Sequence, residues 1–125
     1  MKVRIDPLDR LASEVVRRQS GGYCARCGRY YGWQNLQACH FHSRRKKATR
    51  WDLDNIVALD FGCHQYFHEN HKEFEDFMLK RLGEQAFDML QARTRTPVKY
   101  VDKEAIRLYL KAKIQEIGNE DNIWG

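Results

Sequence analysis

The sequence predicts an α+β fold: two short strands and a helix near the middle of the chain, preceded by an amino-terminal helix and followed by further helices. Three observations carry that expectation. Apolar residues recur at helical spacing before residue 20 and again beyond residue 72. Two short stretches, Leu36 to Ser43 and Ile56 to Leu59, read as strands. All 4 cysteines and all 5 histidines fall between Cys24 and His71. A chain of 125 residues has room for one hydrophobic core. It is therefore read as a single domain, 1–125, with an N-terminal helical segment (1–22), a core (23–71) and a helical C-terminal extension (72–125).

Each element has a local reason. From Asp6 to Gln19 the positions Leu8, Leu11, Ala12, Val15 and Val16 make one apolar face, Asp6-Pro7 starts the helix and Gly21-Gly22 stops it. In Cys24-Ala-Arg-Cys27 the two-residue gap lets a tight turn aim both sulfurs at one tetrahedral ion; taken alone, such a pair also reads as a redox couple. The period of two over Leu36 to Ser43 puts His40 and His42 on one strand face and Cys39 and Phe41 on the other. A basic loop follows. Trp51 to Leu59 reads as a turn entering the second strand, which pairs antiparallel with the first until Phe61-Gly62 breaks it.

From Cys63 a helix places His64 and His68 one turn apart on one face. Asn70, with Glu73 three residues later, reads as a fresh helix start that turns His71 away, so His71 is left out of the candidate site. Phe74, Phe77, Met78 and Leu82 form a stripe ended by Gly83; Ala86, Phe87 and Leu90 form another. After Thr96-Pro97 a last helix from Asp102 to Ile117 presents Ile106, Leu110, Ile114 and Ile117, and Gly118 to Gly125 is expected to fray.

Composition narrows the function classes. With 42% hydrophobic and 31% charged residues and 2 prolines, the chain is globular rather than disordered or fibrous. No apolar run approaches the roughly 20 residues that span a bilayer, and the first residues lack the apolar stretch of a secretory signal. Membrane and secreted readings are set aside, and the expectation is a cytoplasmic chain with reduced thiols, in which clustered Cys and His serve a metal rather than disulfides. The net charge of +5 is local: Arg44, Arg45, Lys46, Lys47 and Arg50 lie within seven residues, and without them 17 bases face 17 acids. A neutral body carrying one dense basic segment points to a polyanion, with DNA as the expected partner; a solvated loop is the plainer reading.

Three separated elements in order, Ala38-Cys39-His40-Phe41, Leu53-Asp54-Asn55-Ile56 and Cys63-His64-x-x-x-His68, resemble the HNH (ββα-metal) endonucleases, particularly the small phage-encoded type. The resemblance spans residues 23 to 71. It implies that His40 is the general base that deprotonates water, that Asn55 orients it and braces the loop, and that His64, joined by His68, ligates a catalytic Mg²⁺, Mn²⁺ or other divalent ion. The chemistry asks for such groups independently, since phosphodiester hydrolysis needs a nucleophile made from water and neutralised charge in the transition state. In relatives with an early C-x-x-C a second pair completes a structural Zn²⁺ site. Here the matching pair is Asp60-x-x-Cys63, so the implied set is Cys24, Cys27, Asp60 and Cys63, with Cys39 or His42 as alternatives to Asp60. Many family members carry an acidic residue or histidine just before the base; this chain has Cys39, a poor ligand for Mg²⁺, read as a packed thiol.

The resemblance implies an enzyme acting on DNA with low sequence specificity in a bacterial host's cytoplasm, in which a homodimer or other phage proteins are further possible partners. The alternative reading keeps the zinc-held fold as an inactive DNA-binding module or regulator. A zinc deaminase is set aside because His-x-Glu and Pro-Cys-x-x-Cys are both missing.

Overall fold

The computed structural model describes residues 5–123, with side chains through 118; the expectations for positions 1–4 and for the last two residues lie outside the described residues. The element order is α1 (Pro7–Gln19), a 3₁₀ turn, β1 (Gln37–His40), a second 3₁₀ turn (Leu53–Asn55), β2 (Ile56–Leu59), α2 (Phe61–Glu69), α3 (His71–Leu82), α4 (Glu84–Arg95) and α5 (Lys103–Ile123). Asp6 caps α1 by accepting from the Leu8 amide at 2.7 Å, as the Asp-Pro start implies.

β1 and β2 form a two-stranded antiparallel sheet with Gln37 opposite Leu59, Cys39 opposite Val57 and His40 opposite Ile56. The two strands are unequally buried. All four residues of β2 are buried, which its unbroken Ile-Val-Ala-Leu run permits, whereas β1 keeps Gln37 exposed and buries Cys39. Helices α1 and α5 pack together and α1 also covers the sheet, so that Val15, Val57, Leu59, Met78, Leu90 and Leu110 are fully buried in one core.

Three sequence expectations need correction. β1 ends at His40, and the chain bends at Phe41 and His42, so His42 does not share a strand face with His40. Helix α2 begins two residues earlier than Cys63 because Asp60 caps it, its carboxylate accepting from the Cys63 amide at 2.7 Å. Residues Gly118 to Ile123 continue α5 rather than fraying. A fresh helix does start at His71, with no side-chain cap: Asn70 donates to the Tyr66 carbonyl, and Glu73 takes the Tyr66 hydroxyl. His71 lies against Phe41, with ring centroids 5.8 Å apart.

Candidate functional site

The first part of the site is a group of metal-ligand atoms. After α1 the chain turns back at Gly22, where a Cβ would come within 2.6 Å of the Tyr30 ring, and Tyr23 and Tyr30 form a small antiparallel bridge. Between them the Cys24 carbonyl accepts from the Gly28 amide at 2.9 Å, and Gly28 supplies the positive φ of 75° that closes the turn. This knuckle presents Cys24 and Cys27. Its Ala25 amide bonds the Ala58 carbonyl of β2 at 2.9 Å, which carries the knuckle to the strand end that leads into Asp60 and Cys63.

One ligand atom from each of Cys24, Cys27, Asp60 and Cys63 lies within 4.8 Å of all the others. A tetrahedron of Zn–S bonds of about 2.3 Å has edges of about 3.8 Å, so the four donors can hold one ion such as zinc after small adjustments. Asp60 keeps one oxygen on the Cys63 amide and turns the other to the Cys27 sulfur, 3.0 Å away. Burial alone would raise its pKa, yet these bonds from thiol and amide hold the carboxyl far below the usual carboxylate range, in the charged form that a cation requires. Arg26 reaches the Cys63 sulfur at 3.4 Å while lying 3.9 Å over the Tyr66 ring. Cys39 and His42 are not in this group: burial pushes the Cys39 thiol up to about 12, and the His42 ring hydrogen-bonds Gln91 of α4.

The second part surrounds His40. Its Nε2 lies 2.8 Å from the Arg50 carbonyl. A carbonyl only accepts, so Nε2 carries the proton and Nδ1 holds the lone pair. Burial lowers the His40 pKa, countered by that carbonyl and by Asp9 and reinforced by Arg44 and Arg50, which favours the neutral ring at pH 7. The loop holding this carbonyl is fixed from three sides. Asn55, fully buried, accepts from the His42 amide at 2.8 Å and donates to the His42 and Thr49 carbonyls, both at 3.1 Å. From α4, Arg93 reaches Asp52 at 2.8 Å and Thr94 reaches Thr49 at 3.1 Å. From α1, Asp9 takes Arg50 Nε at 2.9 Å, a second guanidinium nitrogen at 2.6 Å and the Trp51 indole at 2.8 Å.

The third part is on α2. His64 Nδ1 lies 2.6 Å from Gln37 Oε1, which leaves Nε2 as its available ligand atom, and burial together with the charge of His68 lowers its pKa. His68 is exposed one turn further on. Among the described residues no hydrogen bond joins His40 to His64 or His68. Strand alternation sends Gln37 and His40 to opposite faces of β1.

Sequence reasoning missed Asp9, Gln37 and the α4 anchors. Gln37 was discoverable, since strand period places it two residues from Cys39 on one face. Asp9 was not, because nothing in an amphipathic helix announces an ion pair 41 residues away. The basic residues divide: the Arg44 and Arg50 guanidinium groups face Asp9, at 3.7 and 2.6 Å, while Arg45, Lys46 and Lys47 are exposed.

Fold and site thus define a small α+β protein with a two-stranded antiparallel sheet, in which the Cys24–Cys27 knuckle and the capped start of α2 carry a Cys₃Asp group able to hold a metal ion. The chain belongs to the family described as the bacteriophage lambda NinG protein, which matches residues 2–120. It is therefore a phage-type protein, and among its described residues no helix is long and apolar enough to cross a membrane. No curated protein and no solved structure matches the chain.

Proposed function

We propose that this protein is a metal-dependent endonuclease of the HNH type that hydrolyses DNA phosphodiester bonds with little sequence preference. The observation that carries the reading is the lock on His40. An imidazole whose Nε2–H is held by a backbone carbonyl, on a loop braced by a buried asparagine, has a single lone pair set for one proton. In this reading Nδ1 takes the proton from a water as its oxygen attacks phosphorus, and the bond to the departing 3′ oxygen breaks as that oxygen gains a proton from solvent. Exposed Arg45, Lys46 and Lys47, with Arg44, hold flanking phosphates. His64 and His68 would hold a Mg²⁺ or Mn²⁺ ion, which supplies positive charge at the scissile phosphate when bound. Gln37 fixes the His64 tautomer, leaving Nε2 for that ion. The Cys24, Cys27, Asp60 and Cys63 group would hold a structural Zn²⁺ apart from the chemistry.

A second reading, a zinc-held DNA-binding module without catalysis, is favoured by one observation: Gln37, which holds His64, lies on the opposite face of β1 from His40. The two separate on supercoiled plasmid with added Mg²⁺ or Mn²⁺. The expected result is nicking by the parent and a rate lower by about 10² to 10⁴ in His40→Ala, with DNA binding retained. A parent that binds plasmid but leaves it intact in every divalent cation is the binding module.

A further inference from the structure

Beyond the basic loop the surface continues in a form that the loop sequence does not reveal. Arg45, Lys46 and Lys47 face Arg95 and Thr96, at the end of α4, across a cleft of about 370 Å³ with no carboxylate in its lining. All four cations are exposed and none forms an ion pair among the described residues. Asp52 and Asp54, which line a neighbouring cavity together with Lys47 and Ala48, are paired with Arg93. Such a cleft is complementary to phosphate oxygens.

The cleft adjoins a second cavity, of about 300 Å³, with Lys47, Ala48, Thr96 and Val98 lining both. The second cavity adds apolar walls, Val101 and Ile106, and Tyr100 at its rim. Tyr100 is 80% exposed, the highest value among the large hydrophobic side chains of the described residues, and exposed Lys99 and Lys103 flank it in the chain. In the other direction Arg45 also lines the cavity shared by Ser43, Arg44 and Arg50. Neighbouring cavities therefore trace one path from the loop beside His40, across a cationic cleft, to a largely apolar slot lined in part by Tyr100.

We infer that this path holds a single strand of nucleic acid, with phosphates in the Arg45–Arg95 cleft and one unpaired base stacked on Tyr100 in the slot. The inference rests on the DNA-binding part of the function proposed above and goes beyond it by naming the strand state. Duplex DNA offers the cleft its phosphates but offers Tyr100 no free base face. A single strand offers both, and aromatic stacking beside a cationic groove is the general way such strands are held without sequence readout.

The test is anisotropy with a dye-labelled 20-nucleotide single strand and the matching duplex, using the full chain without added divalent cation so that nothing is cut. Tyr100→Ala is expected to weaken single-strand binding by about 5- to 150-fold and to leave duplex binding within twofold. Tyr100→Phe should bind like the parent, and Arg95→Gln should reduce the single-strand salt slope by about 0.7. Equal effects of Tyr100→Ala on both substrates, or none on either, overturn the inference while leaving DNA binding intact. Tighter binding to polyglutamate than to the oligonucleotide would also overturn it, assigning the cleft to an acidic polypeptide. A parent that binds neither DNA overturns both this inference and the DNA reading.

Discussion

The Cys₃Asp group and the His40 loop are both built around β1 and β2, yet they are held in opposite ways. The metal-ligand group is assembled from short-range geometry. A five-residue turn closed by Gly28 presents two sulfurs, and the cap of α2 presents Asp60 and Cys63 three residues apart. Each half is made locally, and the Ala25–Ala58 backbone bond joins them. The His40 environment is assembled from long-range contacts: a carbonyl ten residues away, an α1 carboxylate 41 residues from its guanidinium, and anchors from α4. Local construction suits a centre stabilised by a bound ion, since the ion supplies the cross-link. Long-range construction leaves the position of His40 dependent on the whole domain.

The largest expected effect falls on the local centre. Cys24→Ser or Cys63→Ser should lower thermal stability severely and abolish stoichiometric zinc after gel filtration, because structural ions in small zinc-finger peptides contribute about 10 kcal/mol or more to the folded state. His64→Ala should leave both nearly unchanged. Metal analysis that finds no zinc in fresh protein would remove the contrast between the two regions. Asp60→Cys sharpens it: if Asp60 is the fourth ligand, zinc should bind more tightly, and helix α2 should lose part of its cap.

This difference also explains what was legible in the sequence. The Cys24–Cys27 spacing left a metal pair and a redox couple both open, and the resemblance added Asp60 and Cys63; the structure brings these four together because each pair is built locally. Strand β2 was legible with its full bounds, Ile56–Leu59, because four consecutive apolar residues ended by Asp60 and Phe61-Gly62 leave little choice. The extent of β1 was misread because alternation continues past His40, while Asn55 pulls the chain away by bonding the His42 amide and carbonyl. Helix α5 runs past Gly118 despite that residue's low helix propensity. His40 itself was identified by resemblance, but its tautomer required the Arg50 carbonyl, which no pattern of side chains encodes.

A smaller effect is expected at Asp9. Asp9→Asn keeps the shape of the side chain but removes the charge facing Arg50 and Arg44, and should cost about 2 kcal/mol of folding stability, measured by urea unfolding. Burial opposes ionisation of Asp9, but its bonds and charges from Arg50, the Trp51 indole and Arg44 outweigh this and lower its pKa in the folded state. The folded value lies below the unfolded one, so the stabilisation is complete above the ordinary carboxylate range near 3.9 and is lost as pH falls below it. The parent should therefore lose stability relative to Asp9→Asn between about pH 4 and 2. Parallel unfolding curves across that window would mean that the Asp9 charge does not anchor the loop.

The smallest effect on stability, and the clearest on binding, belongs to the exposed part of the loop. Replacing Arg44, Arg45, Lys46 and Lys47 with glutamine removes one ion pair, that of Arg44 with Asp9 at 3.7 Å, whose cation is largely exposed. The folding cost should stay below about 1 kcal/mol. Each cation withdrawn from a phosphate should reduce the slope of log affinity against log salt by roughly 0.9 on duplex DNA, so the quadruple replacement would lower it by about 3.6. Arg50 is kept because its guanidinium is bound to Asp9, and its removal would disturb the carbonyl that holds His40. Binding should weaken about equally for all sequences, since bonds to phosphate carry no base information. A salt slope equal to the parent's would place the DNA elsewhere, and weakening confined to one sequence would make the loop a reader of bases.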